Sequence, residues 1–503
     1  MLSNALSASV VGVDGIPVRV ETDVAFGLPG LTIVGLAGSA VLEARERVRA
    51  AIRNSDFEVP ARRITINLAP ADLPKEGTGH DLAMAIGILV ASDQLDTDRL
   101  GRTALIGELA LDGSLRSVPG AMALVSAVRS EGVTDAIVPV ENGAEAAAVG
   151  GVTVRAAGCL REVVAHLAGR SVLPSLPPRS LRGAPLPPDD APDLASVVGQ
   201  VVARRALEIA VAGGHNLSLS GPPGVGKTLL ARAAAGLLPP LDESEAAEVS
   251  RIHSVAGLGD PRRPEVPRRP FRAPHHTIST QALVGGGPRV RPGEASLAHR
   301  GVLFLDETLQ FRVDALDALR GPLDAGTVTI ARVDGVLALP ARFMLIAAYN
   351  PCPCGWFGVG GRGCGCEDGA RRRYQARLSG PMRDRLDLTV AMQPASTADG
   401  IGREPESTRA VGRRVARARD RQRDRQGSTN AELPVSAFDR RHGFGPSVRA
   451  ALDQRARQMG LSLRRAHRAA RVARTIADLD GSSVVRPEHV DEALAYRPAE
   501  VAA

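Results

Sequence analysis

Aromatic rings, lysine and long apolar runs are all scarce in this chain. Aromatics are 3% of 503 residues, with one Trp, three Tyr and nine Phe. Val, Leu, Ile and Ala must therefore fill the cores. Stacking platforms are also scarce, so any nucleic-acid contact would track the backbone rather than read bases. Lysine occurs only at positions 75 and 227, against 60 arginines. No apolar run approaches the ~18–20 residues of a membrane span. The longest, Leu82 to Ala91, is interrupted by Gly87. The N-terminus has neither the basic start nor the long apolar stretch of a secretory signal. Five cysteines are too few for a secreted disulfide framework. The expectation is a cytoplasmic protein with no membrane partner.

The apolar fraction, 44%, is ample for two to four domains at this length. Formal net charge is +7, unevenly spread: residues 403–475 hold 19 arginines and 7 acids. Such a block suits a polyanion partner, or it is a solvated helical surface. Leu173 to Pro192 carries seven prolines in twenty residues and reads as a semi-rigid linker. Before it, Val18–Thr22 and Arg63–Leu68 alternate as strands. Ser39–Asn54, Asp81–Ser92 and Ala121–Glu131 have helical periodicity, giving an α+β domain. After it, Gln200–Gly213 reads as a helix, and Gly301–Asp306 and Phe343–Ala348 as buried strands. Val328–Val333 and Val336–Leu339 flank Asp334-Gly335 as a β-hairpin. From Glu404 onward the chain is mostly helical. The expected domains are 1–170, a linker over 171–193, an α/β core over 194–402 and a helical part over 403–503.

The strongest signal is Gly221-Pro222-Pro223-Gly224-Val225-Gly226-Lys227-Thr228, a phosphate loop with a strand before it and a helix after it. Its backbone N–H groups would surround phosphates at the positive end of that helix. Lys227 would reach the β- and γ-phosphates, and Thr228 would ligate Mg²⁺. With arginine the default base here, a lysine at 227 suggests that the compact ammonium is needed. Asp306-Glu307 closes a short apolar strand downstream. Asp306 would hold Mg²⁺ through water and Glu307 would polarise the attacking water of ATP hydrolysis. Asn350 could orient that water. Arg385, or its competitor Arg383, could stabilise transition-state charge on a neighbouring subunit's ATP, or form a surface salt bridge.

Cys352-Pro-Cys354 and Cys364-Gly-Cys366 flank a glycine-rich loop. They are either ligands of a tetrahedral Zn²⁺ or four reduced thiols.

Further stretches are Gly199-Gln200, Ala212-Gly-Gly-His-Asn216, Pro270-Phe-Arg-Ala-Pro-His-His-Thr-Ile-Ser279, Arg291-Pro-Gly-Glu-Ala-Ser-Leu-Ala-His299 and Asn350-Pro-Cys-Pro-Cys-Gly355. With the phosphate loop and Leu303-Phe-Leu-Asp-Glu307, they resemble the magnesium-chelatase-like AAA+ ATPases of the YifB/ComM group, almost end to end. The resemblance implies an AAA+ core with a helical C-terminal lid, and a hexameric ring with ATP at subunit interfaces. It makes Asn350 sensor 1, Arg385 the arginine finger and Arg464, in Leu461-Ser-Leu-Arg464, sensor 2. One departure is Thr308-Leu309-Gln310, where the group usually has Leu-Pro-Glu.

Residues 20–142 resemble the ribosomal-S5-domain-2-like fold of Lon-type proteases, through Pro74-Lys-Glu-Gly77 and Gly107-Glu-Leu-Ala-Leu-Asp-Gly-Ser-Leu115. The nucleophile's slot holds Gly79, and the general base's slot falls within Ala121-Met122-Ala123. Without serine or lysine the dyad is lost, and Lys75 belongs to the loop. His275 and His276 lie too far from the cysteines in sequence to pair with them, and a subunit interface is the plainer expectation. Arg332 sits where helicases of a related clade place a pore hairpin. The expected function is an ATP-driven DNA motor on branched or single-stranded DNA, with branch migration the activity the resemblance implies. A chelatase-like ATPase that remodels a protein partner is the alternative, and a protease regulator a third.

Overall fold

The computed structural model describes residues 2–36, 38–73, 75–181, 191–258, 268–287, 290–332, 335–359, 363–394 and 405–497. The N-terminal unit is a seven-stranded mixed sheet. Its order is Gly30–Val34, Arg63–Ala69, Asp14–Ala25, Leu2–Val11, Thr103–Leu105, Asp135–Pro139, Thr153–Ala157. Leu2–Val11 and Asp14–Ala25 form an antiparallel hairpin with Ala5 opposite Val20. Val18, Val20 and Val24 point into the core while Arg19 and Asp23 face out, as a two-residue period requires. Helix Ser39–Asn54 buries Val41, Ala44, Val48, Ala51 and Ile52, the stripe expected from sequence. Helix Asp81–Ala91 is apolar all round because it lies in the core against both long strands. Its eleven residues are too few to span a bilayer.

Leu173–Leu181 corrects the linker reading in part. The Leu176 N–H donates to the Val154 carbonyl at 2.9 Å, and Leu173 and Leu181 are buried. An extended proline-containing strand can lie along a sheet edge without completing a ladder, and this one does. Residues 182–190 lie outside the described residues.

The second unit is built on five parallel strands, ordered Phe271–Arg272, Val302–Leu305, Met344–Tyr349, Leu217–Ser220, Leu388–Ala391. Their near-continuous apolar sequences fit a sheet covered on both faces. Helices Val201–Gly213 and Lys227–Leu237 pack together, and helix Thr408–Gln426 covers both. Helices Pro446–Gln458, Leu463–Leu479 and Pro487–Ala495 complete the C-terminal part. The expected hairpin is present as Thr327–Arg332 against Gly335–Pro340, with Val328 opposite Leu339. Val333 and Asp334 lie outside the described residues. Among the described residues no helix is long and apolar enough to cross a membrane.

The two units meet along helix Glu243–Val255. Leu241, Ala246 and Val249 join the core that holds Val118, Met122 and Val125. The Gly120 N–H donates to the Ser254 carbonyl at 3.1 Å. The Ser254 hydroxyl donates to the Glu145 carboxylate, which also accepts the Met122 N–H at 3.3 Å. Burial pushes the Glu145 carboxyl up from its ordinary value.

The basic block is only in part an exposed surface, since several of its arginines are turned inward. Arg425 and Arg474 both bind Asp478 at 2.8 Å. Arg414 reaches Glu208 at 2.6 Å, and Arg419 donates twice to the Val211 carbonyl. Arg468 binds Asp387 at 2.9 Å. Arg425 and Arg474 tie the C-terminal helices to one another, Arg414 and Arg419 tie them to helix Val201–Gly213, and Arg468 ties them to the residue before strand Leu388–Ala391. Charge counting misses this because one arginine can satisfy several buried acceptors at once.

Candidate nucleotide site

The phosphate loop leaves the C-terminal end of the interior strand Leu217–Ser220 and enters helix Lys227–Leu237. Gly224 and Gly226 have φ of +79° and +90°, and a Cβ built on either meets nothing within 4 Å. A side chain there would be strained and would fill the cradle. Helix Lys227–Leu237 has no side-chain cap. Its first-turn N–H groups therefore point, with the positive end of the helix dipole, to where an anion would sit.

Lys227 Nζ donates to the Gly221 carbonyl at 2.6 Å, the Pro222 carbonyl at 2.9 Å and Asn350 Oδ1 at 3.0 Å. Burial lowers its pKa, opposed by the Asp306 and Glu307 carboxylates. Thr228 Oγ1 donates to Asp306 Oδ2 at 2.7 Å. A hydroxyl and a carboxylate so close are the pair that would hold Mg²⁺, directly and through water. Asp306 Oδ1 accepts the Glu307 N–H at 2.9 Å, and Glu307 sits at φ +48°. A non-glycine residue there costs on the order of 1–3 kcal/mol, and such strain clusters at functional sites. The turn that holds it is firm. Thr308 Oγ1 donates to the Leu305 carbonyl at 2.7 Å and is 3.2 Å from the Ala348 carbonyl. Leu309 is buried, and Arg377 contacts the Leu309 carbonyl and the Gln310 amide. Thr308-Leu309-Gln310 thus braces the turn.

Sequence reasoning expected His276 at a subunit interface and did not anticipate its contact with Glu307. Its Nδ1 lies 3.5 Å from Glu307 Oε2, and its ring packs at a 34° tilt against His275, 4.1 Å between centroids. It approaches Glu307 of its own chain. The signal was only its place just beyond the edge strand Phe271–Arg272.

Arg385 and Arg464 lie elsewhere. Both donate to Asp324, Arg464 at 2.8 Å. Burial pushes the Asp324 carboxyl up, but the hydrogen bonds from these two arginines outweigh it and hold it below its ordinary value. Arg385 is itself buried and donates to the Arg320 and Pro381 carbonyls. Arg383 is exposed, with one bond to the Gln375 carbonyl. Asp324, Arg464 and Arg468 line a cavity of about 720 Å³ with Asn216, Gly301 and Met344. Those last three lie at the N-terminal ends of parallel strands. Lys227, Thr228, Asp306 and Asn350 follow C-terminal ends.

The matched segments cover most of the chain. The description "Magnesium chelatase, subunit ChlI" fits residues 193–399, "Subunit ChlI of Mg-chelatase" fits 20–142, and "Magnesium chelatase, subunit ChlI C-terminal" fits 405–497. An uncharacterized Escherichia coli protein, YifB, is 43% identical over 99% of this chain and 97% of its own. The Haemophilus influenzae competence protein ComM is 42% identical over 99% and 97%. The chain belongs to the magnesium-chelatase-like AAA+ family. A 67 kDa magnesium-chelatase subunit of Heliobacterium mobile is a more distant relative, 30% identical over 31% of this chain and 28% of its own. The family implies ATP and Mg²⁺, and the donor set around Lys227, Thr228 and Asp306 fits them.

The four cysteines of this family member converge. Their sulfurs lie within 4.8 Å of one another, with Cys352–Cys354 at 3.3 Å and Cys352–Cys364 and Cys354–Cys364 at 3.6 Å. A tetrahedron with Zn–S bonds of about 2.3 Å has edges of about 3.8 Å, so the set fits zinc. Burial pushes the Cys352 thiol up, and the Trp356 N–H holds the Cys354 thiol down to about 6. Elemental analysis of protein purified without chelator is expected to find about one zinc per chain. Metal-free protein would leave four thiols.

At the N-terminal unit, a Cβ on Gly79 would lie 3.9 Å from Leu124 and 4.0 Å from Val118, beside helix Ala121–Arg129. The two slots expected for a dyad are therefore neighbours, yet they hold glycine and buried Met122. Lys75 lies between strand Arg63–Ala69 and helix Asp81–Ala91, in the loop as expected. It is buried, its Nζ has no hydrogen-bond partner among the described residues, and burial lowers its pKa. Purified protein is expected not to cleave casein. Cleavage that a Met122 substitution removed would overturn this.

Proposed function

We propose that this chain is an ATP-hydrolysing motor that assembles as a hexameric ring and moves along branched or single-stranded DNA. One observation carries the ring: the groups that ATP hydrolysis needs are divided between opposite ends of one sheet. A four-residue strand spans about 13 Å, so Arg385 and Arg464 stand a strand length from the phosphate loop of their own chain. They make chemical sense at a neighbour's ATP, with Arg464 as sensor 2 in the helical lid. Arg385 would have to leave Asp324 to act as the finger, whereas Arg383 is already at the surface.

In each site Lys227 and the loop amides bind the phosphates, Thr228 and Asp306 hold Mg²⁺, Glu307 takes a proton from water, and Asn350 orients that water. The N-terminal unit, S5-domain-2-like without its dyad, serves as an interaction domain. DNA is supported by the hairpin that ends in exposed Arg332, by Arg413, Arg417 and Arg423 exposed on helix Thr408–Gln426, and by the 42% identity to a competence protein. Binding through phosphates should fall steeply with salt and show little sequence preference.

The test is the ATPase rate with and without forked DNA at low salt. Stimulation is expected, and Arg332→Ala should reduce it. If no DNA structure binds or stimulates, the remodelling of a protein partner takes its place.

A further inference from the structure

A second cavity, of about 440 Å³, opens beside the phosphate loop. Its size is typical of small-molecule sites, about 300–1,000 Å³. Val197, Val198, Gly224, Gly226, Trp356 and Pro394 line it. The Mg²⁺-side residues Lys227, Thr228, Asp306 and Asn350 do not, and no charged side chain does. The cavity therefore shares the loop backbone with the phosphate cradle but has uncharged, largely apolar walls, with Ser196 and Gln200 as its polar side chains. Val198 is 46% exposed and Leu229 37%, so both keep apolar surface open to the cavity. Such a slot suits a neutral, flat heteroaromatic ring.

Trp356 is the only tryptophan of the chain, and it arrives here from the cysteine loop. The Trp356 N–H bonds Cys354 sulfur, and the Phe357 N–H bonds Cys352 sulfur at 3.3 Å. Between them Gly355 presses on the phosphate loop. At φ +87°, a Cβ there would fall 2.6 Å from Pro223 Cδ and 3.9 Å from Asn350 Cγ. Behind the loop, the Arg371 guanidinium lies over the Phe357 ring at 4.2 Å. The sulfur cluster, the phosphate loop and Trp356 are thus in one contact chain.

We propose that Trp356 is a wall of the nucleotide-base pocket and stacks on the purine ring, and that the four-cysteine cluster positions it. The inference rests on reading residues 221–228 as the nucleotide site, and deepens it by assigning the base-binding residue. It gives the cysteines a task that their sequence spacing does not reveal, since a cysteine cluster spread over fifteen residues has no obvious connection with a base.

The wild-type protein carries its own probe. Its tryptophan emission should change saturably with ATP and not with inorganic tripolyphosphate, while calorimetry detects both ligands. Trp356→Ala should weaken ATP binding by about tenfold, the scale of one base–aromatic stack, and leave tripolyphosphate binding unchanged. Trp356→Phe should recover most of the loss. Cys354→Ser, at the exposed cysteine, should weaken ATP but not tripolyphosphate. If Trp356→Ala and the wild type bind ATP equally well, the stacking role is overturned while the nucleotide site stands. If Cys354→Ser leaves ATP affinity and emission untouched, the positioning role of the cluster is overturned. If the wild type binds neither ATP nor tripolyphosphate, the nucleotide reading itself fails.

Discussion

Lys227→Ala is expected to abolish ATP binding, and Glu307→Gln to preserve binding while lowering turnover by about 10²–10⁴-fold, the usual contribution of a general base. The two side chains sit on different elements and meet different parts of the nucleotide. Lys227 is held between two loop carbonyls and Asn350 by bonds of 2.6–3.0 Å. Replacing those partners with phosphate oxygens keeps the ammonium satisfied, and alanine offers nothing in its place. Glu307 makes no bond to the loop. Its carboxylate is 60% exposed, beside His276. Glutamine keeps the shape and loses the basicity. Equilibrium binding and steady-state phosphate release separate the two effects. Full turnover by Glu307→Gln would move the base elsewhere, and His276 would be the first group to examine.

The second large effect concerns mixed rings. Arg464→Ala is expected to lower ATPase by about a hundredfold or more, as loss of a positioned charge at developing phosphate charge does. Lys227→Ala is inactive for a different reason: it keeps Arg464 but has no clamp. Mixing the two inactive proteins should restore activity. Where an Arg464→Ala subunit presents its loop to a Lys227→Ala neighbour, the interface has both groups, and random equal mixing leaves about one interface in four complete. Rates measured across mixing ratios check this, with a maximum near equal amounts. A mixture as inactive as its components would place Arg464 at its own chain's ATP, against the opposed ends of the sheet.

The local part of the site was legible in the sequence because phosphate binding needs contiguous backbone. Gly221 to Thr228 specifies its own turn, and Asp306-Glu307 ends a strand whose apolar run marks a buried neighbour. The hairpin was equally readable, since alternation and an Asp-Gly pair are short-range signals. The illegible parts depend on which strand end faces which. That Arg385 and Arg464 share Asp324 needs the sheet, since Asp324 is 61 residues from one and 140 from the other. His276 reaches Glu307 through strand pairing that a two-residue strand barely announces. The arginine-rich helices misled in another way. Composition counts charges, but Arg419, Arg425 and Arg474 spend theirs on carbonyls and carboxylates indoors.

The seam at helix Glu243–Val255 has a mechanical consequence. Its Glu245 and Glu248 also clamp Arg269 and Arg300, the residues that lead into the edge strand Phe271–Arg272 and its neighbour Val302–Leu305. A torque on the N-terminal half would therefore pass into the sheet through this helix, and the proline-rich stretch would be a bypass around the joint rather than its axle. Cutting the chain at that stretch would not release two finished parts. It would leave a raw greasy strip of Leu241, Ala246 and Val249 on one fragment and its matching bed on the other. The isolated halves should be sticky, each a poor guide to the behaviour of the whole.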